Sequence, residues 1–250
     1  MPKDALNLKT PELTLEEHDR LQARNRELAQ LAGGLAHEIR NPLSTIGMNL
    51  ELLAEDLADE DSPRGRRMLR RIEALQGECS NLEDVLNAFL TFARAGQLKL
   101  RTGNLNQEVA EYISFLQPQA DAAGIELRPH LDAALPAVRM DTNLIRQVLA
   151  NLGRNAIQAM PDGGSLDFLT HRDGDRAILQ VIDTGKGMTE PTRKQMFDAF
   201  FSTRSGGSGL GLPTVRRIVE AHLGTIDCES ELGRGTRFTI SLPISLETTS

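Results

Sequence analysis

The sequence predicts two parts of different fold class, an antiparallel helical hairpin and then a two-layer α+β domain. Up to Ala93, apolar residues recur at alternating steps of four and three, the spacing of helices that pack along a seam. Beyond Gly96, which ends the second helix, this periodicity changes and strand-like runs alternate with helical ones. We therefore expect a flexible arm at 1–11, the hairpin at 12–95 and the α+β domain at 96–250.

Charge and composition exclude several classes of protein. The 250 residues carry a net charge of -7, so the chain has no basic field with which to hold nucleic acid. No apolar run is long enough to span a membrane, and the N-terminus lacks the apolar core of a signal peptide. Cys79 and Cys228 have neither metal-binding nor disulfide spacing, and we expect buried thiols. These features predict a cytoplasmic protein with no membrane contact within this chain.

The first helix is predicted to begin at Thr10-Pro11, and it carries a histidine away from its apolar seam. Its seam includes Leu28, Ala32, Leu35 and Ile39. His37 lies on the polar face, with Glu38 beside it and Asn41 one turn further on. An imidazole on a solvated face beside a carboxylate is placed to be a nucleophile or a proton carrier. An ordinary surface histidine is the alternative, which this stretch alone does not exclude.

The two helices of the hairpin are predicted to form half of a larger bundle. Pro42 should kink the first helix, which ends in the acidic turn at 58–63. The arginine-rich run at 64–71 is expected to be a solvated face. Two antiparallel helices bury such stripes less well than four do, so we expect a homodimer that forms a four-helix bundle. The seam of the second helix consists of Met68, Ile72, Leu75, Cys79, Leu82, Leu86, Phe89 and Ala93.

The second part is predicted to combine helices with a mixed or antiparallel sheet in two layers. Asp173-Gly174 is a turn dipeptide between two strands of a hairpin, so these residues need no metal-binding role. The remaining segments follow from periodicity and from the turn residues between them. We expect strands at 99–101, 125–130, 166–170, 177–182, 225–229 and 236–242, and helices at 105–123, 142–160 and 212–222.

Two asparagines on the helix at 142–160 are candidates for a nucleotide site. Asn151 and Asn155 are four residues apart and share one helical face. Amide oxygens on an otherwise packed helix are costly unless they are used, and they suit a Mg²⁺ ligand and a phosphate contact. Two hydrogen-bonded surface or capping asparagines remain the alternative.

A carboxylate and two glycines follow the next strand pair. Asp183 precedes Gly185 and Gly187 at a strand end, where a carboxylate can accept a hydrogen bond from an adenine amino group. Glycines there would let the base approach the backbone. A simple turn is the alternative. Thr236, which follows Gly235 at the start of the last strand, could offer its hydroxyl to the same base.

A glycine-rich segment opens the last helix. Backbone N–H groups and the positive end of that helix would bind phosphates, and we place Gly207, Gly209, Leu210 and Gly211 at this site. A flexible linker is the alternative, although a linker needs no leucine at 210 and 212. The segment matches neither the G-x-G-x-x-G turn nor the Walker A pattern, which excludes Rossmann and P-loop sites.

Six motifs now stand in one order: His-Glu-x-x-Asn-Pro, Asn-x-x-x-Asn-Ala, Asp-x-Gly-x-Gly, Phe-x-x-Phe-Phe, Gly-x-Gly-Leu-Gly-Leu and Gly-x-Gly-Thr. Between about Leu28 and Pro243 the chain resembles the catalytic core of bacterial sensor histidine kinases, and within them the nitrogen-regulation kinases. The resemblance implies an ATP-binding domain of the type shared with gyrase and heat-shock proteins. It also implies ATP and Mg²⁺ as cofactors and the receiver aspartate of a response regulator as partner.

The resemblance also implies roles for individual residues. His37 would be the phosphoacceptor, Glu38 its base or orienting partner, and Asn41 the residue that positions water in the phosphatase reaction. Asn155 would be the Mg²⁺ ligand and Asp183 the adenine acceptor. The glycines around ATP would be Gly185, Gly187, Gly209 and Gly211.

Two features depart from the family pattern. Arg204 stands where many relatives in this group carry lysine, which keeps the charge but changes its geometry as a phosphate clamp. Only about thirty residues precede the helical core. We therefore expect either a fragment or a kinase that a separate protein regulates.

Two other functions compete with a histidine kinase. An ATPase of the same fold would carry a glutamate one turn before the metal asparagine to activate water, but Asn151 occupies that position and an amide has no useful basicity. A dimeric scaffold that binds nucleotide without using it would tolerate the loss of His37.

Overall fold

The structure, a computed structural model, describes residues 15–57, 62–94, 98–204 and 207–244. Helices α1 (Leu15–Asp56) and α2 (Pro63–Arg94) form the hairpin. The arm at 1–11, the helix start at Thr10-Pro11 and the boundary at 95/96 lie outside the described residues. Helix α1 continues past Pro42, and the kink expected there stays a prediction. Over the described ranges, neither these helices nor the others are long and apolar enough to cross a membrane.

The hairpin seam divides into a covered half and an exposed half. Against each other, α1 and α2 bury small and aliphatic side chains at Ala32, Ala36, Leu43, Leu50, Ile72, Leu86, Leu90 and Ala93. Cys79 is half-buried rather than buried, because a single partner helix covers that face only in part. Seam residue Phe89 is half-buried. Other apolar residues along the two helices are exposed in the single chain, namely Leu35, Ile39, Ile46, Leu53, Met68, Leu75 and Leu82.

The second part is a mixed five-stranded sheet covered by helices. The strand order is β2-β4-β5-β7-β6, with β2 and β4 parallel and the other pairs antiparallel. Three helices, α3, α4 and α6, pack together and on the sheet, and their apolar faces form the core. The elements are β1 (Arg101–Gly103), α3 (Leu105–Ala122), β2 (Ile125–Leu131), β3 (Val138–Met140), α4 (Thr142–Ala159), β4 (Gly164–Asp173), β5 (Arg176–Asp183), α5 (Glu190–Gln195), α6 (Gly211–Ala221), β6 (Thr225–Glu231) and β7 (Gly235–Pro243).

Two small elements differ from the expectation. The first strand begins at Arg101 rather than residue 99, and it pairs with β3, which the sequence did not predict. A three-residue strand is too short to show alternation, and its partner lies far away in sequence. Helix α5 interrupts the long loop after β5, where Thr189 caps it and Pro191 stands in its first turn.

One capping cluster fixes α4 against α6 and against the start of the domain. The side chain of Asp141 caps α4 by accepting from the N–H groups of Asn143 and Leu144, and it also accepts from Lys99 N–H at 2.7 Å. The Asp141 N–H donates to Nε2 of buried His222 at 2.9 Å. This cluster therefore sets the relative position of the two helices that flank the candidate site.

Candidate functional site

A cavity of about 810 Å³ lies between α4, the start of α6, the segment after β5 and the side of α2. Most of the residues that the sequence predicted for nucleotide binding meet there, although they come from four separate parts of the chain. The cavity is lined by Asn151, Asn155, Asp183, Gly187, Arg204, Gly207, Gly209, Leu210, Gly211 and Thr236.

Asp183 is a buried carboxylate at the end of β5. Its Oδ1 accepts the N–H of Gly185 at 2.9 Å, and the N–H of Thr236 also donates to this carboxylate. Burial raises the pKa of Asp183 above its ordinary value, while the two N–H donors act in the opposite direction. Gly185 is outside the cavity lining and acts on it through this hydrogen bond. The cavity therefore has a buried hydrogen-bond acceptor in its wall.

Gly187 and Gly209 are needed for the close approach of backbone segments around the cavity. Both have positive φ, 63° and 65°, where a β-carbon is strained. A side chain at Gly187 would collide with the backbone of Glu231, and one at Gly209 would collide with the backbone of Phe200. Phe200 itself has φ 68° and is exposed, and its N–H donates to Gly209 O at 3.0 Å. The backbone around the cavity therefore follows a path that requires glycine at positions 187 and 209.

The N-terminus of α6 opens into the cavity. Leu210 is its N-cap and provides no side-chain hydrogen bond to the first turn. Asn151 Oδ1 lies close to Gly211 across this opening. Uncapped N–H groups at the positive end of a helix are suited to binding an anion.

Arg204 lies against the face of α4 that carries the two asparagines. Its Nη1 donates to Asn155 Oδ1 at 3.1 Å and to Gln158 Oε1, and its Nη2 approaches Asn155 O at 3.4 Å. Partial burial lowers the pKa of the Arg204 guanidinium from its ordinary value. Sequence reasoning missed Gln158, although its position one turn beyond Asn155 was a usable signal.

The candidate metal ligand already accepts a hydrogen bond from a cationic side chain. The atom predicted to bind Mg²⁺, Asn155 Oδ1, contacts the guanidinium of Arg204. Within the described ranges no three His, Cys, Asp or Glu side chains cluster to hold a metal. One amide oxygen fits Mg²⁺ that takes its other ligands from a triphosphate and water, and it does not fit a site built from protein ligands alone.

Helix α2 forms one wall of the cavity, which sequence reasoning did not anticipate. Val85, Asn87 and Ala88 line it, and Arg217 of α6 stacks on Phe92 with its guanidinium carbon 4.9 Å from the ring centroid. The contact of Phe92 with Arg217 joins segments more than a hundred residues apart, and the cavity contacts of α2 are also distant in sequence, so no local pattern could reveal them.

Of the three predicted catalytic residues on α1, Glu38 and Asn41 do not line the cavity. Glu38 and Asn41 are exposed, and the side chain of His37 lies outside the described residues. Arg40, one residue before Asn41, donates from Nη2 to Asn87 Oδ1 at 2.9 Å. This hydrogen bond links the predicted phosphoacceptor segment to the wall of the cavity.

Comparison with known proteins identifies both parts of the chain. Residues 27–98 match the family described as His Kinase A (phospho-acceptor) domain. Residues 140–246 match the family described as Histidine kinase-, DNA gyrase B-, and HSP90-like ATPase. The second family has an ATP-binding fold.

Among curated relatives, sporulation kinase E of Bacillus subtilis is 32% identical over 244 residues, which cover 97% of this chain and 31% of that protein. Sensor histidine kinase ZraS of Klebsiella oxytoca is 36% identical over 220 residues, which cover 87% of this chain and 46% of that protein. The chain thus spans less than half the length of these relatives.

Solved structures agree with this relationship. Full-length ShkA in complex with AMPPNP superposes with a TM-score of 0.68 at 30% identity, over 86% of this chain and 45% of that one. Histidine kinase ThkA in complex with response regulator protein TrrA superposes with a TM-score of 0.65 at 26% identity, over 95% and 69%. The narrower resemblance to nitrogen-regulation kinases stays a prediction. The two matched domains and these relatives show that the chain belongs to the sensor histidine kinases and holds their catalytic core.

Proposed function

We propose that this chain transfers the γ-phosphoryl group of ATP to His37 and then to an aspartate of a response regulator. The observation that carries the proposal is the shared cavity in which the Asp183 carboxylate, the uncapped start of α6 and the Asn155 amide meet. An adenine acceptor, an anion site and a cation ligand in one cavity match the three parts of Mg²⁺-ATP.

In the proposed complex, the adenine amino group donates to Asp183, with Thr236 beside it. The triphosphate lies on the N–H groups of Gly209, Leu210 and Gly211, and Arg204 acts as a clamp on the phosphates. Asn155 would hold Mg²⁺, which supplies charge neutralisation at the phosphate oxygens. The likeness to ShkA, which was solved in complex with AMPPNP, supports nucleotide binding by this fold.

Phosphoryl transfer requires His37 to meet the γ-phosphorus in line. One ring nitrogen forms the bond to phosphorus while the bond to the departing ADP oxygen breaks, and Glu38 draws on the other ring proton. Because Glu38, the neighbour of His37, is exposed and does not line the cavity, we infer that the ATP-binding domain moves on the hairpin before this step. The contacts of α2 with the cavity and of Phe92 with Arg217 are the ones that such a movement changes.

The phosphohistidine has a high transfer potential, which favours its passage to a carboxylate on a partner. A receiver domain of a response regulator is the proposed partner, and the ThkA–TrrA complex supports it by likeness. Asn41 is proposed to orient water in the reverse, phosphatase reaction.

A second copy of this chain is the proposed dimer partner. The exposed half of the seam includes Leu35, which is 56% exposed, and Leu75, which is 53% exposed. Side chains of this kind at heptad spacing along both helices need an apolar cover, and a four-helix bundle supplies it. Sedimentation should therefore give a dimer, and Leu75→Glu should shift it towards monomer.

The competing ATPase function is not favoured. Asn151 lines the cavity where such an enzyme needs a glutamate to activate water, and an amide cannot take a proton from it. A scaffold that only binds nucleotide would leave ATP unchanged and the protein unlabelled.

Incubation with γ-labelled ATP and Mg²⁺ tests the proposal. We expect label on the protein that is lost in acid and kept in alkali, which identifies phosphohistidine. Asn155→Ala should lose most of the Mg²⁺-dependent labelling. Release of labelled phosphate with no labelled protein would instead indicate an ATPase.

A further inference from the structure

Ser230 of β6 connects the two sides of the adenine end of the cavity, although it does not line the cavity itself. Its Oγ accepts the N–H of Met188 at 2.9 Å and donates to Gly235 O at 2.9 Å. The same oxygen lies 3.0 Å from Thr236 Oγ1. Ser230 therefore touches the loop that follows Asp183 and the strand that carries Thr236.

The hydrogen-bonding capacity of a serine hydroxyl decides the direction of the contact with Thr236. A hydroxyl has one proton and two lone pairs. The proton of Ser230 goes to Gly235 O, and one lone pair receives the Met188 N–H. The distance between the two hydroxyls allows either one to donate. Because Ser230 gives its proton to Gly235 O, we assign Thr236 as the donor in this contact. The single side-chain proton of Thr236 is thus held away from any base.

Thr236 then presents only lone pairs at its place in the cavity wall. It stands opposite Asp183 in the pairing of β5 with β7, and both residues line the cavity. Ionised Asp183 is also an acceptor without a proton. Two neighbouring acceptors favour the amino group of a 6-aminopurine and repel the carbonyl oxygen of a 6-oxopurine.

We propose that Ser230 is a positioning residue that gives this site its preference for 6-aminopurine over 6-oxopurine nucleotides, by fixing the proton of the Thr236 hydroxyl. The inference rests on the proposed function, because it assumes that the base binds at Asp183. It adds a determinant of base specificity that none of the predicted site residues provides.

The test is calorimetric binding of ADP and of IDP, which differs from ADP by a carbonyl in place of the amino group and a proton on N1. In Ser230→Ala the Thr236 proton is free to turn towards the base, so the ratio of ADP to IDP affinity should fall about five- to tenfold, the range of one neutral hydrogen bond. Ser230→Thr keeps the hydroxyl and should keep the ratio. Ser241→Ala, which removes a hydroxyl that accepts from Arg176 at the far end of β7, is the matched control and should also keep it.

The ratio of ADP to IDP affinity distinguishes a role of Ser230 in base specificity from a merely structural one. If Ser230 only braced the loop, Ser230→Ala would weaken ADP and IDP equally, and an unchanged ratio overturns the proposal. Should Ser230→Ala fail to fold, Ser230→Cys keeps a side chain of similar shape with a weak hydrogen-bonding group, and the same fall is expected. If neither nucleotide binds the unmodified chain, the proposed function itself is contradicted, and this inference with it.

Discussion

Arg204 Nη1 donates to Asn155 Oδ1 at 3.1 Å, so the predicted phosphate clamp rests on the predicted Mg²⁺ ligand. The same nitrogen also donates to Gln158, and the planar fork of a guanidinium suits such a shared contact. Binding of Mg²⁺ at Asn155 would require Arg204 to leave that oxygen and turn to the phosphates. The arginine therefore has one set of partners before nucleotide binds and is expected to have another afterwards.

The Arg204 contact predicts different results for two substitutions. Arg204→Ala should slow self-labelling tenfold or more, a loss of about 1.4 kcal/mol of transition-state stabilisation. Arg204→Lys keeps the charge and should recover most of that rate. Because neither alanine nor lysine has the guanidinium fork, both variants should lower the melting temperature of the nucleotide-free chain. Initial labelling rates and thermal melts measure both effects. A lysine variant as slow as the alanine variant would show that geometry, not charge, makes the clamp.

The carboxylate of Asp183 is predicted to carry much of the affinity for adenine. Asp183→Asn should weaken ADP binding about tenfold to a hundredfold, since a charge-assisted hydrogen bond contributes roughly 1.5 to 3 kcal/mol. Calorimetry without turnover measures this directly. Equal affinity of the two proteins would place the base elsewhere in the cavity.

Asp183→Asn should weaken ADP binding but raise the stability of the folded chain at neutral pH. Burial raises the pKa of Asp183 in the folded chain, so the unfolded chain loses this proton first as the pH rises. Ionised Asp183 therefore costs stability at neutral pH, and the stability present in acid is lost as the pH rises through the raised pKa. Asp183→Asn should melt higher than the unmodified chain at pH 7, and the difference should shrink as the pH is lowered.

His222 predicts a second dependence of stability on pH. Its Nδ1 donates to Ile218 O at 2.7 Å and its Nε2 accepts from Asp141 N–H, so the buried ring is neutral. Burial lowers the pKa of His222 below the ordinary 6.5, although Ile218 O and Asp141 act to raise it. Below 6.5 the unfolded chain binds the extra proton first, so stability is complete above that pH and is lost as the pH falls.

Urea unfolding at pH 5.5 and pH 7.5 checks this prediction. His222→Gln should be less stable than the unmodified chain at pH 7.5, because the two helix-end hydrogen bonds are perturbed, and its midpoint should depend less on pH. The same pH dependence in both proteins would contradict the role of His222.

Asn41 is predicted to act in dephosphorylation of the partner receiver and not in self-phosphorylation. It is exposed on α1, one turn from His37, and it is outside the cavity lining. Asn41→Ala should leave self-labelling largely intact while it slows dephosphorylation of the partner receiver tenfold or more, or about 1.4 kcal/mol. If Asn41 only eases the helix into Pro42, both rates and the melting temperature should fall together. All three are measured on the one variant.

The sequence predicted features whose signal is local and missed those that depend on distant contacts. The spacing of Asn151 and Asn155 predicts one shared face of α4, and both residues line the cavity. The strand end at Asp183 and the glycines before α6 were likewise readable from short motifs. In contrast, β3 pairs with β1 across more than thirty residues, and Asn87 reaches the cavity from another domain. Such placements depend on tertiary packing, which no window of sequence contains.

Self-labelling of His37→Gln is the measurement that tests the central claim most directly. Unmodified chain and variant are incubated with γ-labelled ATP and Mg²⁺, and ADP affinity and dimer mass are measured on both as controls. We expect acid-labile label on the unmodified chain alone, with ADP affinity and dimer mass unchanged in the variant, because the substitution removes the proposed nucleophile and leaves the cavity intact. Label of the same amount and stability on His37→Gln would contradict the assignment of this histidine as the phosphoacceptor.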